Sequence, residues 1–343
     1  MPASPYPRSA RRPADGRHAR SSTLGDAAAP SAPVHPFRPH YAAGAPPFSG
    51  LRPTPTRASS LSDPITGPLN DFAARTGNGA WPNLPRTAVA TRLTELARDP
   101  WRLDQAGLNA CGPAAALYLF GKRQPERFVN FAIELYENGQ APFGSMTVSG
   151  SGLFSKDPSA MNWSGNAPAL CDWMLLSSTL RSAGDILRFS GEPSDAASGI
   201  TLPGEMEDWL RDGLGYRSVS NDANKFFTKG LDHLKGLTIR DNRDAVMLIN
   251  VTRLRDGGTV TAPRTRSQGA LVGAVQGLFP DHWMVLERPV VESGPANPGG
   301  LTDELLNTFC EATCWTWGQS GYKFKAPNGV WAGAYYGAIT CEV

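Results

Sequence analysis

The 343-residue chain is short of several features that would assign it to a broad class at once. No stretch approaches the roughly 18 consecutive apolar residues that a membrane-spanning helix needs. The N-terminus has no apolar central run of the kind found in secretory signal peptides. We therefore expect no membrane span and no Sec leader. Lysine is missing from residues 1–60, where Asp15 and Asp26 are the only acids against arginines 8, 11, 12, 17, 20, 38, 52 and 57. Five cysteines, at 111, 171, 310, 314 and 341, form an odd and irregularly spaced set. That is a poor disulfide framework for a chain of this size, so reduced thiols are expected. A net charge of +2, from 33 basic and 31 acidic side chains, argues against a nucleic-acid binder working through a broad basic face. No period of roughly 20 to 50 residues recurs, so a solenoid or propeller is not supported. The Gly- and Ser-rich run 144–152 lacks the Gly-Lys-Ser/Thr ending of a phosphate-binding loop.

What is present divides the chain in two. Residues 1–62 are rich in Pro, Ala, Ser and Arg and hold almost no aliphatic clusters. Such a composition cannot bury enough surface to offset its ordering entropy, so a disordered leader is expected there, either a targeting segment or a solvated tail. Residues 63–343 are expected to form one folded domain, with order setting in near 69–72. Apolar spacing predicts helices over 91–98, 111–120, 125–138, 168–182, 205–214 and 224–235. From Asp244 onward the texture becomes strand-like, at 245–251, 283–286, 313–317, 322–324 and 334–339. Helices followed by strands imply an α+β fold. The Gly/Ser-rich stretch 144–154 and the Pro/Gly-rich stretch 293–300 read as surface insertions.

The most informative segment runs from Asp104 to Phe120, where a loop enters an Ala/Leu-rich helix at Cys111. Pro113 suits the first turn, because the amide it lacks has no helical partner there. Unpaired amides and the positive end of the helix dipole favour a thiolate, so a lowered Cys111 pKa is expected. The Cys111 amide can also face a developing oxyanion, and Gln105, six residues earlier, can supply a second donor. A base is then required, and histidine titrates nearest neutrality. His18, His35 and His40 fall in the leader; His233, in a lysine-flanked helical stretch, reads as a surface residue. His282 opens the strand Asp281–Glu287 behind Pro280 and is the candidate base.

With these residues in hand, the chain resembles the papain-like cysteine peptidase superfamily. The resemblance rests on the Gln-x5-Cys spacing, the cysteine at a helix start and the later loop-strand His-Trp. Cys314-Trp-Thr-Trp-Gly318 followed by Gly321-Tyr322 is similar to that family's Asn-Ser-Trp-Gly turn. Three departures stand beside it. Cys111 is followed by Gly-Pro-Ala rather than an aromatic residue. The interval from Cys111 to His282 (282 − 111 = 171 residues) is longer than the family's. Trp315 occupies the place of the family's orienting Asn, so Asp281, Glu287, Glu311 and Gln319 are all candidates for that role, as is a dyad with no third member. By resemblance, Trp317 shields the histidine from water.

The resemblance implies a helical subdomain carrying Cys111, packed on a C-terminal antiparallel sheet carrying His282. It implies a cysteine peptidase, a thiol hydrolase of amide bonds, acting on a protein or peptide substrate with no cofactor and no metal. Acyl transfer, glutamine deamidation, peptidoglycan cleavage and a catalytically inert binding domain are the competing outcomes on the same scaffold. A basic leader ahead of such a domain resembles bacterial effectors delivered into other cells; otherwise a cytoplasmic location is expected. Cys310 and Cys314, spaced C-x3-C, fit core strand positions better than a metal site.

Overall fold

A computed structural model describes residues 63–163, 165–183, 189–193, 195, 201–257, 279–296 and 298–343, all within the unit Pro53–Val343. The expected leader over 1–62, with His18, His35 and His40, lies outside the described residues. In chain order, helices α1 (Asp63–Ala74), α2 (Arg86–Arg98), α3 (Cys111–Arg123) and α4 (Pro125–Asn138) precede a hairpin of β1 (Gln140–Phe143) and β2 (Met146–Ser149). Helices α5 (Leu170–Ala183) and α6 (Pro203–Asp208) follow. The second half runs β3 (Ser218–Asn221), α7 (Leu231–Lys235), β4 (Arg243–Ile249), α8 (Val251–Gly257), β5 (His282–Leu286) and β6 (Val291–Ser293). It ends with α9 (Leu301–Asn307), β7 (Phe309–Thr316), β8 (Gln319–Pro327), α10 (Asn328–Ala334) and β9 (Tyr335–Glu342).

The larger sheet is antiparallel, ordered β3-β9-β4-β5-β7-β6, with β8 also paired to β7. The fold is therefore α+β, as the change of texture at Asp244 implied. Side chains alternate across a strand, and here both faces are covered. Val246, Leu248, Trp283 and Val285 join the core built with α1 to α5. Ala245, Met247, Ile249, Met284 and Leu286 join a second core with α7, α8 and α10. Two covered faces explain why β4 and β5 read as unbroken apolar runs rather than alternating ones.

Helix α3 is the piece that fixes the candidate site. Every residue from Gly112 to Gly121 is buried, in keeping with a helix apolar all round. Its last turn is held by Asp244 of β4, which is fully buried and accepts from Arg123 Nε (2.6 Å), Lys122 Nζ (3.2 Å) and the Tyr216 hydroxyl (2.6 Å). Burial alone would raise the Asp244 pKa, but the Arg123 hydrogen bond and the Lys122 charge outweigh it and hold the carboxyl below its usual value. Midway along α3, Tyr118 stacks on Trp315 of β7, with ring centroids 4.4 Å apart, and donates to Glu287 Oε1 (3.0 Å). At its start, a Cβ on Gly112 would lie 2.1 Å from Thr201 Oγ1. Only glycine lets the 201 segment pack there, which accounts for Gly after Cys111 in place of an aromatic residue.

Several expected elements differ. Helix α1 starts at Asp63, before the expected onset near 69–72. The helix expected over 205–214 becomes α6 followed by a π-helical turn over Trp209–Gly213. Only 231–235 of the stretch 224–235 is helical, because Asn221 and Asn224 side chains cap backbone amides in non-helical turns. The strand expected over 245–251 stops at Ile249, and Val251 begins α8, whose first amide is capped by Asp281 (2.7 Å). The stretch 144–154 is not a plain surface insertion: it contains β2, and Val148 and Leu153 are buried. Cys310 and Cys314 are core residues of β7, and Cys310 Sγ donates to Asn328 Oδ1 (3.2 Å). No helix among the described residues is long and apolar enough to cross a membrane.

Candidate active site

Cys111 is the first residue of α3, with Pro113 in its first turn. The preceding chain makes two tight turns, in which the Gln105 carbonyl accepts from Leu108 N (2.8 Å) and the Leu108 carbonyl from Ala110 N (3.0 Å). His282 opens β5, facing Ile249 of β4 across the ladder. Gln105, Cys111 and His282 line one tight cleft too narrow to hold a water molecule, together with Thr316 and Trp317 and with Trp283 and Trp315 as walls. Residues 177 positions apart in the chain (282 − 105) thus meet because α3 docks its N-terminus against the start of a central strand.

Each side chain has a definite environment. Gln105 is 6% exposed, and its carboxamide has no hydrogen-bond partner among the described residues. His282 is 5% exposed, with its Nε2 2.6 Å from Thr316 Oγ1 and its ring stacked on Trp317 at 4.4 Å and 20°. The Trp317 ring therefore covers one face of the imidazole. Cys111 is half-buried.

The four carboxylate and amide candidates for orienting His282 are corrected by this arrangement. Asp281 caps α8 and accepts from Val251 N and Thr252 Oγ1. Glu287 accepts from Tyr118, Ser320 and Gly321, and Glu311 pairs with Lys323. Gln319, in the β7–β8 turn, is exposed. Thr316 is the residue at the ring. Alternation along 313–317 does not place Thr316, because the β7–β8 ladder shifts register between Cys314 and Thr316 and leaves Trp315 in the first core and Trp317 against the second; the pairing of β7 with β5 brings Thr316 to His282. His233 is also corrected: it is half-buried, with Nδ1 2.8 Å from the Tyr335 hydroxyl.

Electrostatics overturn a second expectation. Burial pushes the Cys111 thiol up to about 11; the Trp283 amide opposes this, the Asp281 charge adds to it, and the Gly112 and Cys111 amides pull back. The helix start thus acts in the expected direction but is outweighed. Burial pushes His282 down to about 3. At rest the cleft holds a neutral thiol and a neutral imidazole, not the expected thiolate and imidazolium. Lys225, which the sequence did not single out, lies within electrostatic reach of Cys111 and Glu205, and burial lowers its pKa.

Backbone strain collects at the same place. Among the described residues, the non-glycine positions with positive φ are Ala106 (47°), beside Gln105, and Trp317 (47°), over His282. Trp317 and Gly318 (φ 68°) are the two central residues of the β7–β8 hairpin, whose tight turn requires positive φ at both. A non-glycine residue in this region costs about 1–3 kcal/mol, and such strain concentrates at functional sites.

Among the described residues no group of three or more His, Cys, Asp or Glu side chains is placed to hold a metal ion. Comparison with protein-family models, with curated proteins and with solved structures finds no match to this chain.

Proposed function

We propose that this protein is a cysteine hydrolase of amide bonds on a papain-like scaffold, with Cys111 as nucleophile, His282 as base and Gln105 as oxyanion donor. The observation that carries this reading is the convergence of the three side chains in one cleft, with the Gln105 carboxamide left unpaired. The carboxamide has no protein partner to give up, so it is available to donate to a carbonyl oxygen that becomes negative in the transition state. With the His282 proton on Nε2 and donated to Thr316 Oγ1, Nδ1 is the nitrogen left with a lone pair to act as base. The Cys111 sulfur attacks the carbonyl carbon while its proton passes to His282. The oxyanion is held by Gln105 and the Cys111 amide. Collapse expels the amine, protonated by His282, and water then releases the acyl group. Because the resting pair is neutral, the proton moves during attack rather than before it. The substrate side is a protein or peptide, and the Arg-rich leader motivates a delivered effector as its setting.

The test is acylation by p-nitrophenyl acetate followed by peptide mass, for wild type, Cys111→Ala and His282→Ala. One acetyl group per chain on Cys111 is expected, lost in the first variant and slowed by about 100-fold or more in the second. Acetylation spread evenly over the cysteines, or none, sinks the reading. A parallel panel of protein, glutaminyl-peptide and muropeptide substrates separates peptidase, deamidase and wall-cleaving outcomes.

One observation favours a second reading, an inert binding domain on the same scaffold. A thiol near 11 and an imidazole near 3 are what a retired pair buried in a core would have. Absence of acylation under the conditions above selects it.

A further inference from the structure

We propose that the buried ion pair Arg92–Asp172 is a positioning device for Gln105, holding the oxyanion donor in register with Cys111. The inference rests on the reading of Gln105 given above and extends it to residues outside the cleft.

Asp172, in the first turn of α5, is fully buried. Its Oδ1 accepts from Arg92 Nε (2.9 Å), and its Oδ2 from an Arg92 terminal nitrogen (2.9 Å) and from the Asp104 backbone amide (2.9 Å). The same terminal nitrogen of Arg92 donates to the Arg102 carbonyl (2.7 Å). Guanidinium and carboxylate thus grip both ends of the segment 102–104, immediately before Gln105. The grip is passed on by Asp104, whose Oδ1 accepts from Ala106 N (2.9 Å) and holds Ala106 at its positive φ. On the far side, Gly107 N donates to the Asn166 carbonyl (3.0 Å). The backbone on either side of Gln105 is therefore tied, while its side chain is left unpaired in the cleft.

The same segment abuts the histidine side of the site. Trp315 Nε1 donates to the Trp101 carbonyl (2.7 Å), and a Cβ on Gly318 would lie 2.9 Å from the Asp104 Cβ. Both strained residues, Ala106 and Trp317, are thus braced through Asp104 and its neighbours. A buried ion pair is a weak source of stability compared with apolar packing of the same volume. What it supplies here is direction: a planar fork satisfying a carboxylate and a carbonyl in one fixed geometry.

The test compares two reactions of Cys111 in the full chain. Acylation by p-nitrophenyl acetate passes through an oxyanion, whereas alkylation by iodoacetamide displaces iodide from an sp3 carbon and forms none. The ratio of the two rates therefore reads the oxyanion donor and cancels changes in thiol access. Arg92→Gln and Asp172→Asn are expected to lower the ratio by about tenfold or more, as loss of a donor does, with alkylation within about twofold of wild type. Arg92→Lys keeps the charge but loses the fork, is the mildest of the three for folding, and is expected to fall between. Adding Arg92→Gln to Gln105→Ala should lower the ratio no further. A ratio that falls in Gln105→Ala but stays at the wild-type value in the Arg92 and Asp172 variants overturns the positioning role alone. A ratio unmoved by Gln105→Ala overturns the oxyanion reading, and the positioning role with it. Acylation and alkylation falling together, with the ratio constant, assigns the ion pair to general structure and also overturns the proposal.

Discussion

Alkylation of Cys111 as a function of pH tests the electrostatics of the cleft directly. Burial raises the thiol to about 11 and lowers the imidazole to about 3, and both shifts favour the neutral pair at rest. At pH 8 a thiol of pKa about 11 is ionised to about one part in a thousand, against roughly a quarter for an ordinary thiol near 8.5. Cys111 should thus react with limiting iodoacetamide some 200-fold more slowly than a free thiol, and its rate should climb tenfold per pH unit between 7 and about 10. The assay is peptide mass spectrometry after timed labelling, with His282→Ala in parallel. A rate that already plateaus below pH 8 and loses that plateau in His282→Ala would refute the reasoning, because it requires a preformed thiolate and imidazolium.

Three further outcomes are expected. His282 should make the fold acid-sensitive: its folded pKa, about 3, lies below the unfolded value near 6.5, so the unfolded chain binds the extra proton and stability falls as pH drops between those values. At pH 5 the loss is about 2 kcal/mol, read from urea unfolding at pH 7 and 5; a His282→Gln variant with the same pH dependence would count against it. Thr316→Val removes the hydroxyl at His282 Nε2 and should slow acylation of Cys111 by roughly 5- to 100-fold, as expected when about 1–3 kcal/mol of hydrogen bonding to a buried group is lost; an unchanged rate would show that the hydroxyl does not orient the ring. Asp244→Ala strands Arg123 and Lys122 and should cost about 3–5 kcal/mol in guanidinium unfolding at pH 7. Because the folded Asp244 pKa is lowered, its contribution is present above the ordinary carboxylate range and is lost as pH falls through the lowered value; a change under about 1 kcal/mol at pH 7 would mean that the clamp on α3 is idle.

Local pattern determined a good deal of this protein by itself. Helix 125–138 runs between the bounds its apolar spacing implies, with Pro125 at its first position and Gly139 closing it in the left-handed conformation. Cys111 begins a helix, and His282 begins a strand, because proline and the periodicity of the flanking residues specify both starts. These are properties of neighbours in the chain, set by backbone sterics and by which face is apolar. The length of β4 was already less legible. Val251 looks like more strand until Asp281, thirty residues away (281 − 251), caps the amide that starts α8.

The candidate site depended on distant pairings. Thr316 reaches His282 only through the pairing of β7 with β5, and the Gln105 turn is held by Asp172 from another helix. The sign of the Cys111 shift was decided in the same way. The helix start can be read from sequence and lowers the pKa, whereas the burial that outweighs it is a sum over walls contributed by β5 and β7. Sequence specifies which residue begins a helix, but desolvation depends on everything packed around that residue, and only the tertiary structure sets it.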